Sequence, residues 1–315
     1  MTLPRCRLSR LALAVPAITV VATLAACAGS PAAGTTAGAS GSTATAGAVP
    51  VVASTNVYGS LVTAVGGSAV SVTSLISDPS ADPHSYQASA QTQLVLSKAK
   101  LVVENGGGYD DFVDTMLGAL PDRPTVINAV DVSGKAASAG KQLNEHVWYD
   151  LPSMVLVVQR ISSALQQLAP AQSAQISANA AALTTQLQGI ESSVAQLKAA
   201  HAGQGVAITE PVPLYLLDAA GLVNRTPPEL SAAIEDETDV SPAVLQQTLQ
   251  LFTSHSVAAL VYNAQTTGAQ TDQLIAAAKQ AGVPTVPVTE TLPPGDTYVT
   301  WMQANVAALS QALGR

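Results

Sequence analysis

Residues 171–200 read "AQSAQISANAAALTTQLQGIESSVAQLKAA", with no proline and only one glycine. Ile176, Ala180, Leu183, Leu187, Ile190, Val194 and Leu197 recur at steps of three and four, the spacing of a single helix face. The stretch predicts one helix about 45 Å long at 1.5 Å per residue. Pro170 precedes it, and Gly203 and Gly205 end it. Lying mid-chain, this rod divides the sequence into two halves.

Each half alternates strands with helices. In the first, "VPVVAS", "VSVTSLI", "LVVEN" and "TVINAV" read as strands, the second rich in β-branched residues. Between them "VYGSLVTAVGG", "SAQTQLVLSKAK" and "DFVDTMLGAL" read as helices. The first of these closes at Gly66 and Gly67, and Ser89 is the expected N-cap of the second. "LPSMVLVVQRISSALQQLA", from 151, carries helical apolar spacing until Pro170 breaks it. In the second half "GVAIT", "AALVYN" and "PTVPV" are the strands. The helices there are "PLYLLDAAG", "PAVLQQTLQLFTSH" with Ser241 as cap and Pro242 first, "TDQLIAAAKQAG", and "DTYVTWMQANVAALSQAL". Strand–helix–strand repetition means parallel sheets covered by helices. The expected fold class is therefore α/β: two parallel-sheet lobes, 49–169 and 203–315, joined by a linking helix in 170–202.

The N-terminus sets the compartment. "MTLPRCRLSR" carries Arg5, Arg7 and Arg10 and no acid, and 16 apolar residues then run up to Cys27. A charged start and a short apolar core read as a signal peptide, residues 1–26. A membrane-spanning helix needs about 20 apolar residues, and this run is shorter and contains Pro16. "LAAC", Leu24 to Cys27, resembles the bacterial lipobox. That resemblance implies cleavage before Cys27, lipid on its sulfur, and an extracytoplasmic protein anchored to the cell membrane. Several acyl chains on one cysteine hold a protein there, where a single chain is marginal. The stretch after Cys27 is small, polar and uncharged, and 27–48 reads as lipidated cysteine plus flexible tether.

Cys6 leaves with the leader and Cys27 is blocked by lipid, so the mature chain has no disulfide. Loss of the three leader arginines takes the net charge from −8 to −11. An acidic surface without basic clusters argues against nucleic acid and anionic headgroups as partners. A monomer is expected.

The chain has four histidines. His84 stands in "DPHSYQ" and His146 in "NEHVWYD". Glu210 follows "GVAIT" as "ITEP", and Glu290 follows "PTVPV" as "TETLPPGD". Three of these four residues fall just past the carboxyl end of a predicted strand, where open α/β sheets bind their ligands. Two come from each half. Singly, each has an ordinary reading: a solvated loop histidine, a glutamate at a helix start, an exposed loop acid. Their joint placement by the fold is what makes them candidate ligands. His201, ending the long helix, and His255, in a helix-to-strand turn, are read as ordinary.

"DPHSYQ", "NEHVWYD", "ITEPVPLYLLDAAGL", "LVYNAQT" and "VPVTETLPPGDTYVTWM" resemble, in order, the blocks of the substrate-binding lipoproteins of zinc and manganese ABC transporters. The resemblance covers nearly all of 49–315. It implies a metal ion in the cleft between the lobes, a permease partner, and no enzymatic activity. It also implies the ligands: His84, His146, Glu210 where the family has histidine or glutamate, and Glu290 where aspartate is usual. Two neutral imidazoles and two carboxylates sum to −2, which a divalent cation cancels. Bidentate carboxylates suit Mn2+, and one oxygen from each suits tetrahedral Zn2+. The absence of a third histidine ligand and of a long His-rich loop favours manganese, while the Irving–Williams order favours zinc. The alternatives are a metal-dependent hydrolase or a surface adhesin. Against the first, there is no H-E-x-x-H or G-x-S-x-G, and Glu145, the one obvious base, reads as a supporting or surface acid. No patch in the sequence supports the second.

Overall fold

The computed structural model describes residues 47–78, 86–137, 142–266 and 268–314. The predicted leader, Cys27, nearly all of the tether and His84 lie outside the described residues.

In chain order the first lobe holds β1 (Val49–Thr55), α1 (Asn56–Gly66), β2 (Val70–Ile76), α2 (Ala90–Leu96), β3 (Leu101–Glu104), α3 (Asp111–Gly118), β4 (Thr125–Asn128) and α4 (Ala129–Ser133). Next come α5 (Leu151–Leu168) and α6 (Ser173–His201). The second lobe holds β5 (Gly205–Ile208), α7 (Leu214–Ala219), β6 (Val223–Asn224), α8 (Pro228–Glu235), α9 (Pro242–Thr253), β7 (Leu260–Asn263), α10 (Ala269–Gln280), β8 (Thr285–Val288) and α11 (Tyr298–Leu313). Each lobe has a four-stranded sheet, ordered β2-β1-β3-β4 and β6-β5-β7-β8, with every pairing parallel. The two orders are the same pattern, repeated. In that order the connections leave in opposite directions from β1 and β3, and from β5 and β7. The ends of those strands are the switch points where α/β sheets bind ligands.

The start signals act as local chemistry dictates. Ser89 caps α2 through a reciprocal box with Thr92, and Ser241 caps α9 ahead of Pro242. α2 is shorter than its sequence suggests, since the chain turns after Leu96. β6, α8 and the short α4 are not evident from sequence periodicity.

Strand alternation sorts the core into three parts. Val51, Ala53, Leu101 and Val103 face a central cluster, while Val52 and Val102 face the outer cluster with Leu96, Val113 and Leu117. In the second lobe Val206, Ile208 and Val261 face the same central cluster. Ala207 and Leu260 face an outer one with Leu230, Phe252 and Leu274. Between the sheets α6 buries Ile176, Ala180, Leu183, Leu187, Ile190, Val194 and Leu197, the face its spacing predicts. It packs on α1 and α5 on one side and on α7 and α11 on the other. Among the described residues no helix is long and apolar enough to cross a membrane.

Polar contacts add to this join. Asn56 donates to the Leu292 carbonyl at 3.0 Å and accepts from the Leu292 amide at 2.9 Å. The Tyr149, Tyr215 and Tyr298 hydroxyls donate to the carbonyls of Thr289, Asn144 and Trp148 at 2.6–2.7 Å.

Two predictions follow from this packing. Leu187 is fully buried, so Leu187→Ala should cost about 2–5 kcal/mol. Urea denaturation checks this, and a loss under about 1 kcal/mol would mean that α6 rests on the core without forming part of it. Glu104, buried at the end of β3 with Asn128 Nδ2 3.1 Å away, is raised from its usual 4.5 to about 7, chiefly by burial and then by Asp110. The native state thus holds this proton more tightly than the unfolded chain. Its contribution is favourable below about pH 4.5 and is lost as pH rises to about 7. Glu104→Gln should stabilise by about 1–2 kcal/mol at pH 8 and by little at pH 4, measured by denaturation at both pH values.

Candidate metal centre

The second lobe supplies an acid pair. Glu210 lies two residues past β5 and Glu290 two past β8, and both are buried. Asn263, the last residue of β7, stands between them. Its Nδ2 donates to Glu210 Oε2 at 2.5 Å and to Glu290 Oε1 at 2.7 Å. One amide nitrogen thus uses its two hydrogens on two carboxylates. The Asn263 amide N–H donates to Thr209 Oγ1 at 3.0 Å, which fixes it at the strand end.

The rest of "LVYNAQT" completes the frame. Gln265 Oε1 accepts the Glu290 and Thr291 amides at 2.6 and 3.1 Å, and its Nε2 donates to Thr291 Oγ1 at 2.6 Å. The Thr266 hydroxyl donates to Glu210 Oε1. Both carboxylates are therefore aimed by donors that leave further lone pairs for another ligand.

The first lobe supplies the imidazole. His146 is fully buried, just ahead of a 3₁₀ turn at Val147–Tyr149. Asp150 then caps α5 through the Ser153 amide at 3.2 Å, with Pro152 in the first turn. The Trp148 and Tyr109 rings lie 5.0 and 6.0 Å from the imidazole, centroid to centroid. Asn144 orients the ring. Its Oδ1 accepts from the His146 backbone amide at 3.2 Å and stands 2.7 Å from Nδ1. Its Nδ2 donates to the Pro211 carbonyl at 3.1 Å, and that bond fixes which end of the amide is oxygen. The hydrogen therefore sits on Nδ1, and the ring's acceptor nitrogen is Nε2. The sequence alone requires such an acceptor without naming it.

Tyr109 belongs to the turn "NGGGYDD". Asp110 closes this turn by accepting the Asn105 and Gly106 amides, each at 2.7 Å. Gly106 has φ +78°, and a Cβ there would lie 2.1 Å from the Asn128 side chain, so only glycine fits. Burial, and next the Glu290 carboxylate, push the Tyr109 phenol well above its usual range. The hydroxyl keeps its proton.

Two acids outside the predicted set complete the site. Glu145 and Glu235 join His146 in a group whose donor atoms all lie within 4.8 Å of one another. Glu235 ends α8, with Oε1 3.4 Å from His146 Nε2. Its carboxyl is raised to about 10 by burial first, then by Glu210, Glu145 and Glu290. Of the predicted ligands, then, Glu210 and Glu290 meet through Asn263, and His146 stands with Glu145 and Glu235. His84 is outside the described residues. Sequence spacing missed Glu235 because "PELSAAIEDETD" is neither strongly periodic nor histidine-bearing. Its run of acids was the available signal.

The profile of the family described as zinc-uptake complex component A, periplasmic (ZnuA), matches residues 51–312. The chain belongs to this family. ZnuA proteins are solute-binding components of uptake systems and not enzymes. No curated protein sequence matches the chain. Solved structures share the ZnuA-type fold seen here. The periplasmic zinc-binding protein TroA from Treponema pallidum superposes with a TM-score of 0.73 at 19% identity, covering 85% of this chain and 100% of its own. FpvC from Pseudomonas aeruginosa, solved with Ni2+, gives 0.70 at 20% identity, covering 85% of this chain and 97% of its own. A Mn-bound mutant of the periplasmic metal-binding protein from Candidatus Liberibacter asiaticus gives 0.67 at 18%, covering 84% and 99%.

Replacing Asn263 by aspartate removes the shared donor and adds a third acid. Asn263→Asp should destabilise the metal-free protein by about 2–4 kcal/mol at pH 8 and by much less at pH 5, where a proton can replace the amide hydrogens. Thermal melts at the two pH values check this.

Proposed function

We propose that this protein captures one divalent transition-metal ion, Mn2+ or Zn2+, outside the cytoplasm and delivers it to an ABC transporter permease. In this reading His84, His146, Glu210 and Glu290 are ligands, residues 1–26 direct export, and lipidated Cys27 anchors the chain to the cell membrane. The observation that carries it is the Asn263 amide gripping Glu210 and Glu290 together. Buried carboxylates repel one another, and a donor that holds two of them side by side keeps a cation site in shape before the cation arrives.

The donor types support the ligand class. Imidazole nitrogen and carboxylate oxygen suit first-row divalent ions from manganese to zinc. The relatives carry zinc in the name of one and Ni2+ or Mn2+ in the structures of others, consistent with one scaffold serving several ions. The α6 seam supports a small closing motion, so release would come from distortion of the ligand set when the permease engages both lobes.

The test is chelator competition with Zn2+ and Mn2+. Wild type should bind one equivalent, and His84→Ala and Glu210→Ala should each lose at least about 100-fold in affinity, since loss of an outer partner alone costs about 10–100-fold. Far-UV circular dichroism of the metal-free variants should match wild type. Undiminished affinity in both variants would refute the assignment.

A further inference from the structure

A buried asparagine of the first lobe stands behind the segment that carries His146. Asn105 directly follows β3 and is fully buried. Its backbone is held on both sides. The amide donates to Asp110 Oδ2 at 2.7 Å, and the carbonyl accepts the Val130 amide at 2.9 Å. Its side chain is fixed as firmly. Nδ2 donates to the Gly106 carbonyl at 2.8 Å and to the Glu145 carbonyl at 3.0 Å, while Oδ1 accepts the Tyr58 hydroxyl from α1. Carbonyls only accept, so the nitrogen must face them and the oxygen must face the phenol.

The bond to Glu145 reaches 40 residues along the chain, to the peptide unit that joins Glu145 to His146. The N–H of that same unit donates to Asn144 Oδ1 at 3.2 Å. A peptide unit is planar. Holding both its oxygen and its nitrogen fixes the plane, and with it the direction in which the His146 Cα leaves. Two side-chain torsions then remain to place the imidazole, and Asn144 Oδ1 and the Trp148 ring border it. Residues 142–146 form neither helix nor strand, so no regular ladder sets their course.

The two holds differ in origin. Asn144 is braced by the Pro211 carbonyl of the second lobe. Asn105 is braced within the first lobe, by β3 behind it and Tyr58 beside it. It therefore ties the ring's backbone to the sheet of its own lobe. Each lobe thus ends an inner strand in an asparagine whose amide nitrogen serves two oxygens: carboxylates at Asn263, carbonyls at Asn105.

We propose that Asn105 is a positioning residue for the metal site: through the Glu145 carbonyl it presets the His146 backbone, and so the imidazole, before the ion arrives. The inference rests on the reading that His146 is a ligand.

The test uses the full chain freed of metal, titrated with Mn2+ and Zn2+ against a chelating dye and loaded with Co2+ for its visible d–d spectrum. Asn105→Ala removes the grip. Asn105→Asp keeps the size and the Tyr58 contact but turns a carboxyl oxygen toward the Glu145 carbonyl. Each should weaken binding by at least about 10-fold, as loss of a ligand's outer partner does, and change the Co2+ spectrum, which reports ligand geometry. Leu117→Ala, in the outer cluster of the same lobe, should lose stability yet keep the affinity and the spectrum. Far-UV circular dichroism identifies the variants that fold, and Asn105→Asp, which leaves no cavity, carries the comparison if Asn105→Ala does not. Affinities within twofold of wild type with an unchanged Co2+ spectrum overturn the inference, as does an equal change in Leu117→Ala. If His146→Ala loses the ion while the Asn105 variants keep it, this inference alone fails. If wild type binds none of the three ions, the transport reading fails and this one with it.

Discussion

The apolar seam along α6 is the constraint on which the rest of the structure depends. Seven side chains on one face of a 29-residue helix are buried, in a cluster that also takes in the inner faces of both sheets. Each lobe alone would leave half of that seam in water. At about 25 cal/mol per Å² of apolar surface, separating the lobes from the rod is costly, and residues 49–315 contain no cysteine that could tie them together instead. The seam therefore sets the spacing between the two rows of strand ends. His146 from one lobe can then stand 3.4 Å from an acid of the other without any loop having to search for it.

The electrostatics work against that economy. Glu210, Glu145 and Glu290 each lie close enough to Glu235 to push its carboxyl up through space, after burial. The protein tolerates this by spending neutral donors on the acids: the Asn263 amide, the Thr266 hydroxyl and the protonated Tyr109. No lysine or arginine is needed for that list. Neutral donors hold carboxylates in place without cancelling their charge, which leaves the charge for a cation. A site meant only to stabilise the fold would be better served by an arginine.

Much of this was legible in the sequence, for physical reasons that differ by element. The α6 face could be read because steps of three and four over 30 residues leave little room for another period. The sheets could be read from β-branched runs ended by glycine and proline, and Glu210 and Glu290 because acids directly after buried strands are conspicuous. Asn263, Gln265 and Asn144 were not legible as site residues, since an uncharged amide in a loop has no distinctive pattern and acts only through where its two ends point. Glu235 escaped because α8 is short and its acids look like a solvated run. Both the local propensity and the period were weak there, and only tertiary placement gives the residue a neighbour.

Asn144 has one more implication. Its side chain reads a carbonyl of the second lobe, Pro211, with one end and the imidazole of the first lobe with the other. A primary amide turned end for end fills almost the same space. In the turned state its nitrogen would confront two N–H groups of His146, and the ring would have to carry its hydrogen on Nε2 instead. An imidazole in that tautomer offers no electron pair at the cleft. The Pro211 carbonyl of one lobe thus helps to set the tautomer of an imidazole in the other.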